Sequence, residues 1–352
     1  MAVIIIGGGV AGLCLAHQLE KRGEDFMILT EHENHSTRIA AGMINPLVFR
    51  RMLKSWEADK LIPYLNNFYT ELEGKIKVPI FQRMLIRRLF SSEDEAQLWE
   101  KRSKDPDYSS YIKLDAKPHP KYAKDEFGQG FVLKGGFVRS EDFLKANRDY
   151  FERKGKLKYE SVDYSAIDIK AQSINGERYD KLIFAEGYKG KQNPYFNYLP
   201  IGQTKGEVLD ISSKELLSNE ILNRKCFVLP VAESEFRLGA TFAWNTTDLS
   251  PTEESKQELL EKYAKISSAE FKIIDHKAGI RPTSIDRRPL IGEHPKHKNI
   301  FIFNGLGTKG YMLAPYFSEH LIKYILDKTD LLSDINIHRF HKRYRKQEAG
   351  IL

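Results

Sequence analysis

The chain has 352 residues, 41% of them hydrophobic and 29% charged, enough to bury the cores of two domains. No stretch reaches the roughly 18 unbroken apolar residues of a membrane helix, and the two cysteines, Cys14 and Cys226, give neither a metal framework nor a redox CxxC pair, as expected of a cytoplasmic protein. The net charge of +7 suits an anionic cofactor and substrate as well as nucleic acid; much of the excess lies in a tail with Arg339, His341, Lys342, Arg343, Arg345 and Lys346, read as a solvated basic segment.

The first apolar run, Met1 to Ile6, is short, lacks a basic leader and meets glycines at once, so it reads as a strand and not as a signal peptide. Its unbroken β-branched residues predict a strand buried on both faces of a parallel sheet. Gly7-Gly8-Gly9-Val10-Ala11-Gly12 follows as GxGxxG. Gly7 permits the tight turn, Gly9 lets backbone N–H groups approach a diphosphate, and Gly12 lets helix and strand pack closely. The predicted helix, about Ala11 to Arg22, buries Leu13, Leu15, Ala16 and Leu19, exposes His17, Gln18, Glu20 and Lys21, and stops at Gly23. A second strand, 26–30, ends at Glu31, 19 residues after Gly12, where a carboxylate can hydrogen-bond both ribose hydroxyls. Strand, glycines, helix, strand and acid in register predict a dinucleotide site. The pattern does not separate NAD from FAD. The small, turn-rich segment from Ser36 to Pro46 reads as a loop passing close to a ligand, where a dehydrogenase would more often enter its next helix.

Four further blocks follow in order. They are Ala40-Ala41-Gly42-Met43-Ile44-Asn45-Pro46; Gly135-Gly136-Phe137-Val138-Arg139, with a helix to about Lys154 and a strand reaching Val162; Tyr179 to Gly187; and Ala278-Gly279-Ile280-Arg281-Pro282. The last continues through Asp286 to Gly292, Asn304 to Gly310 and Leu313-Ala314-Pro315. With the glycine unit, their order and spacing resemble the D-amino-acid oxidase/glycine oxidase (DAO) family of flavoproteins. The resemblance implies an α/β fold with a Rossmann-type FAD-binding domain, glutathione-reductase-like and of DAO type. An interleaved α+β substrate domain built on an antiparallel sheet would complete it. The expected division is 1–77, 135–189 and 276–352 for FAD, and 78–134 and 190–275 for the substrate. It also implies non-covalent FAD. Gly7, Gly9, Val10, Ala11 and Gly12 would hold the diphosphate, Glu31 the ribose, and the Val162 backbone the adenine. Ala40, Ala41, Gly42 and Met43 would touch diphosphate and flavin, with Gly187 also at the cofactor. Gly305, Leu306, Gly307, Thr308 and Gly310 open the last helix, about Tyr311 to Asp327, whose N–H groups would stabilise negative charge at flavin N1 and O2. His32 and His35 lie near where some relatives attach FAD covalently, in a poorly matching context.

The short apolar runs at 208–211, 226–229 and 236–241 predict an antiparallel sheet over the flavin, covered by a helix from about Thr252 to Ser267 that Pro251 starts. Three side chains are catalytic candidates. Pro282 restrains Arg281 toward extended backbone, and a planar guanidinium clamps a carboxylate with two parallel bonds; the matching family arginine does this. Arg237 falls where the sarcosine oxidases carry a lysine that assists oxygen, although arginine cannot donate and recover protons in that way. A buried structural cation is the other reading of Arg237. Lys309 could touch flavin or substrate, or face solvent. Tyr188 and Tyr311 more simply pack. Glu186 replaces a small residue common in its block. His294 and His297 have metal-pair spacing without a third ligand and read as a loop, so no metal is expected.

The expected reaction oxidises the C–N bond of a small amino acid or secondary amine bearing a carboxylate, by hydride transfer to flavin N5, with oxygen or another acceptor taking the electrons. The first alternative is an FAD-dependent 2-hydroxy-acid dehydrogenase, which wants a histidine base that no matched block holds. Another is an oxidase acting on a carboxymethylamino group of a modified tRNA uridine, for which the positive charge, Arg50-Arg51 and Arg87-Arg88 would suit phosphates. The last is FAD as a purely structural ligand.

Overall fold

The computed structural model describes residues 2–114 and 120–350. Six strands form one sheet in the order Leu157–Tyr159, Asp25–Thr30, Ala2–Ile6, Lys181–Phe184, Ile300–Asn304 and Leu290–Glu293. All neighbours run parallel except the last pair. The β-branched first strand sits at its centre for the expected reason. Val3 and Ile5 pack into one core cluster while Ile4 and Ile6 pack into another, so alternate side chains fill both faces.

The helix Val10–Lys21 lies on one face against the last long helix, Gly310–Asp327. Leu13, Leu15, Ala16 and Leu19 are fully buried, each leucine contributing about 1.5–3 kcal/mol. Arg22 caps it and Gly23, at φ +70°, turns the chain away. His17 and Gln18, expected on its solvent face, are buried instead. Neighbouring helices enclose more than one stripe: His17 Nε2 lies 2.6 Å from Asn147 Oδ1, and Gln18 donates to Tyr64 at 3.0 Å. The strand expected to reach Val162 ends at Tyr159.

A second sheet of nine strands stands over the first. Its longest members, Ile201–Ser212 and Lys272–Ser284, pair antiparallel along nearly their whole length. Glu235–Gly239 and Ala243–Trp244 pair along the other side of Ile201–Ser212. The sheet then continues through Phe227–Ala232, Glu220–Asn223, Leu85–Leu89, Gln129–Val132 and Ile112–Leu114. It is not wholly antiparallel as expected. Glu220–Asn223 runs parallel to Leu85–Leu89, where two segments distant in sequence meet. The covering helix is Glu253–Ala264, with Leu259 and Tyr263 in a core shared with Leu209, Ile211, Phe236 and Leu238. Thr252 Oγ1 caps it by accepting from Ser255 N at 3.2 Å. It ends before Ser267 because Ser267 forms a bridge with Ala123. The division expected between 275 and 276 falls inside Lys272–Ser284, so Arg281 rides on the large sheet. Among the described residues no helix is long and apolar enough to cross a membrane.

Candidate active site

The dinucleotide turn is built from contacts that exclude side chains. A Cβ on Gly7, at φ +112°, would stand 2.3 Å from the Ala185 carbonyl oxygen, and one on Gly12 would stand 1.8 Å from that of Gly7. Two threonines not picked out from sequence hold the loop. Gly8 N donates to Thr30 Oγ1 and Val10 N to Thr37 Oγ1, each at 3.0 Å. Gly9 has no side chain to cap the helix, so apart from Val10 N its first N–H groups are left for an anion.

That end opens into a cavity of about 890 Å³. At one extreme lie Glu31, Val162, Glu186 and Gly187. The walls then pass Gly7, Gly9, Val10 and Ala11, the loop Ala40, Ala41, Gly42 and Met43, and Leu306, Gly307, Thr308 and Gly310. At the other extreme are Gly206, Phe227, Phe242 and Arg281. Of the expected cofactor residues, Gly12 and Gly305 alone do not line it. They let neighbours pack: a Cβ on Gly305, at φ +72°, would stand 2.9 Å from Leu290 Cγ. The helix at Gly310 is also uncapped by any side chain.

Glu31 pairs with Lys189 and accepts from Ser161 Oγ at 3.4 Å. Glu186 faces the cavity, where Tyr164 donates to it at 2.7 Å and Asn193 at 2.8 Å, and burial pushes its carboxyl up to about 6. His32 stacks on Tyr159 at 4.0 Å. Tyr188 lines the cavity, whereas Tyr311 is buried and donates to the Thr37 carbonyl at 3.0 Å, bracing the loop. His294 Nδ1 accepts from the backbone of Lys296 and His297 at 3.1 and 2.9 Å, so it organises its loop.

Arg281 and Lys309 both line the cavity, and among the described residues neither pairs with a carboxylate. The Arg281 guanidinium donates to the carbonyls of Thr241 and Lys205 at 3.2 and 3.4 Å, with the Phe242 ring 4.5 Å away. It lies over Gly206, where a Cβ would stand 2.0 Å from Nη2. A glycine inside a strand signals such close approach, so Gly206 was findable in the sequence; Phe242 carries no local signal. Burial lowers Arg281 to about 10. Lys309 Nζ donates to the Asn45 carbonyl at 3.3 Å and to Ser55 Oγ, and burial lowers it to about 8. Arg237 stands apart. It grips Asp210 with two bonds at 2.7 and 3.0 Å, reaches the Ile39 and Ala40 carbonyls at 3.4 and 3.5 Å, and does not line the cavity. Its expected place beside the flavin is corrected to that of a brace behind the flavin loop. Arg87 and Arg88, expected to suit RNA, are buried on Glu220 and Glu95.

Charge divides the cavity. Among the described residues its carboxylates, Glu31, Glu33, Glu160 and Glu186, all follow strands of the parallel sheet, and the large sheet and its turns contribute Arg224, Lys225 and Arg281 and no acid. A parallel sheet feeding a glycine turn and a helix N-terminus, with a cleft running on to two cations, defines a dinucleotide-binding protein. The chain belongs to the FAD dependent oxidoreductase (DAO) family, whose pattern matches residues 2–324. It is 24% identical over 351 residues to the glycine oxidase of Bacillus licheniformis, covering 92% of both chains. It is also 24% identical over 346 residues to the tRNA 5-methylaminomethyl-2-thiouridine biosynthesis bifunctional protein MnmC of Idiomarina loihiensis, matching 90% of this chain and only 54% of that one. The chain thus spans about half the length of that relative. The structure of glycine oxidase from Bacillus cereus superposes with a TM-score of 0.80 at 22% identity, over 94% of this chain and 96% of that one.

FAD is therefore the cofactor, and the residues fit it. The side-chain-free cradle at Gly7 and Gly9 and the bare helix tip suit a diphosphate, Glu31 a ribose, and the loops at 40–43 and 306–310 the flavin.

Proposed function

We propose that this oxidoreductase oxidises the C–N bond of a small amino acid or secondary amine that carries a carboxylate. One observation carries the reading: a mostly buried arginine in the cofactor cavity has no carboxylate partner among the described residues. A guanidinium so placed is stabilised by an anion bound along its open edge. FAD, held non-covalently, supplies a two-electron acceptor at N5. Arg281 fixes the carboxylate and thereby the adjacent carbon. Lys309 adds a second positive charge, and Gly206 and Phe242 keep the guanidinium in place and shield it from water. The α-hydrogen leaves as hydride, the C–N bond becomes an imine, and water hydrolyses it. Among the described residues the one histidine in the lining is His35, on the helix His35–Ile39, and none comes from the large sheet beside Arg281, which speaks against a hydroxy-acid substrate.

The test is anaerobic bleaching of the flavin-loaded protein by a panel of amino acids, N-alkyl glycines and 2-hydroxy acids. Bleaching by carboxylate-bearing amines is expected; bleaching by hydroxy acids alone overturns the reading. A carboxymethylamino group on a modified tRNA uridine is the second reading. Arg224 and Lys225 at the cavity favour it, and a salt-sensitive RNA gel shift would reveal it.

A further inference from the structure

Two large aromatic side chains beside Arg281 are left mostly in water: Phe242 is 57% exposed and Trp244 is 59% exposed. The other tryptophans are occupied by the fold, Trp99 being fully buried and Trp56 stacked on Phe317 at 5.2 Å. Register places the exposed pair. Trp244 lies opposite Thr204, and Thr204 lies opposite Arg281 on the other neighbouring strand. Directly paired residues project from one face of a sheet, so Trp244 and Arg281 rise on the same side, about 10 Å apart at the backbone. Phe242, two residues before Trp244, lines the cavity with its ring 4.5 Å from the guanidinium. The row therefore runs from Arg281 through Phe242, in the cavity lining, to the open indole of Trp244 outside that lining.

We propose that Phe242 and Trp244 are a stacking platform for a planar ring carried on the nitrogen of the amine substrate. The proposal rests on Arg281 holding the carboxylate. With that end fixed and the α-carbon turned to the flavin, the nitrogen substituent is the part of the substrate free to run along the aromatic row. Flat side chains with few rotatable bonds lose little freedom on contact and accept any π-face, so they select shape rather than a particular hydrogen-bond pattern.

The flavin-loaded enzyme should be assayed with N-methylglycine, N-benzylglycine and N-(cyclohexylmethyl)glycine. N-benzylglycine is expected to show a KM about ten-fold below that of N-methylglycine, with the cyclohexyl compound well short of it. Trp244→Ala should lower the kcat/KM ratio of N-benzylglycine over N-methylglycine about ten-fold. In the native enzyme N-benzylglycine should quench tryptophan fluorescence saturably near its KM, and the quench should vanish in Trp244→Ala. An unchanged ratio overturns the platform, as does a cyclohexyl compound that matches the benzyl one. If N-methylglycine bleaches the flavin and the ring adds nothing, the platform alone falls; if no amine bleaches it, the functional reading falls too.

Discussion

A guanidinium withdrawn from water without an anion beside it raises the free energy of the empty site and lowers that of the filled one. Arg281 is in that position, so Arg281→Lys, which replaces a planar fork by a point charge, is expected to raise KM at least ten-fold while the flavin spectrum of the purified protein persists. Unchanged kinetics would remove Arg281 from the site. Lys309 makes a pH prediction. Burial lowers it to about 8, against about 10.5 in the unfolded chain, a difference worth up to roughly 3 kcal/mol. The unfolded state holds this proton more tightly, so below pH 8 the cation is a liability to the native state. Stability from this group rises as pH climbs from about 8 toward 10.5. Lys309→Met should therefore raise the apoprotein melting temperature by a few degrees at pH 7, with the gain fading above pH 10; an equal gain at both pH values would contradict the assignment. The place of Arg281 in the cavity lining was legible because Pro282 and its block frame it. The choice between the two readings of Arg237, beside the flavin or a buried structural cation, stayed open because its partner, Asp210, lies directly across a strand pair that no local pattern displays.

The glycines of the first turn and of the large sheet act through elements rather than alone. Gly12 holds the first helix against its strand, and a methyl group there meets the Gly7 carbonyl at 1.8 Å. Gly12→Ala should push that helix off the sheet, and the protein should purify without its flavin absorbance; retained yellow colour would refute the account. Gly206→Ala works on the other wall. Its methyl would meet the guanidinium at 2.0 Å, so FAD should stay bound while KM rises as Arg281 is displaced. Strands 2–6 and 25–30 and the helices were readable from period and glycine punctuation, each within a few residues. The burial of His17 and Gln18 was not, since a sequence shows which face of a helix is apolar but not how many neighbours surround it.

Across the whole molecule, one cavity is walled by both sheets, so a cofactor that fills it would bridge them. A ligand bound only by the native state adds about 2.7 kcal/mol at a free concentration one hundred times its dissociation constant. Stripping FAD should thus lower the melting temperature, and adding it back should restore the loss; a melt indifferent to FAD would mean that the flavin does not tie the sheets together. This join was the least legible part of the sequence. The parallel pairing of Leu85–Leu89 with Glu220–Asn223 links segments with no shared signal, and the large sheet owes its breadth to it.

The division of charge along the cavity has a consequence for turnover. Among the described residues the large sheet offers the cavity cations and no acid, so on the proposed reading it would recognise a carboxylate without regard to what the neighbouring carbon has become. A 2-oxo acid released by imine hydrolysis keeps that group and should compete with fresh amine, raising apparent KM at constant kcat. Acetate and other small buffer anions should do the same more weakly. Initial rates that ignore added glyoxylate would show that the clamp grips something else.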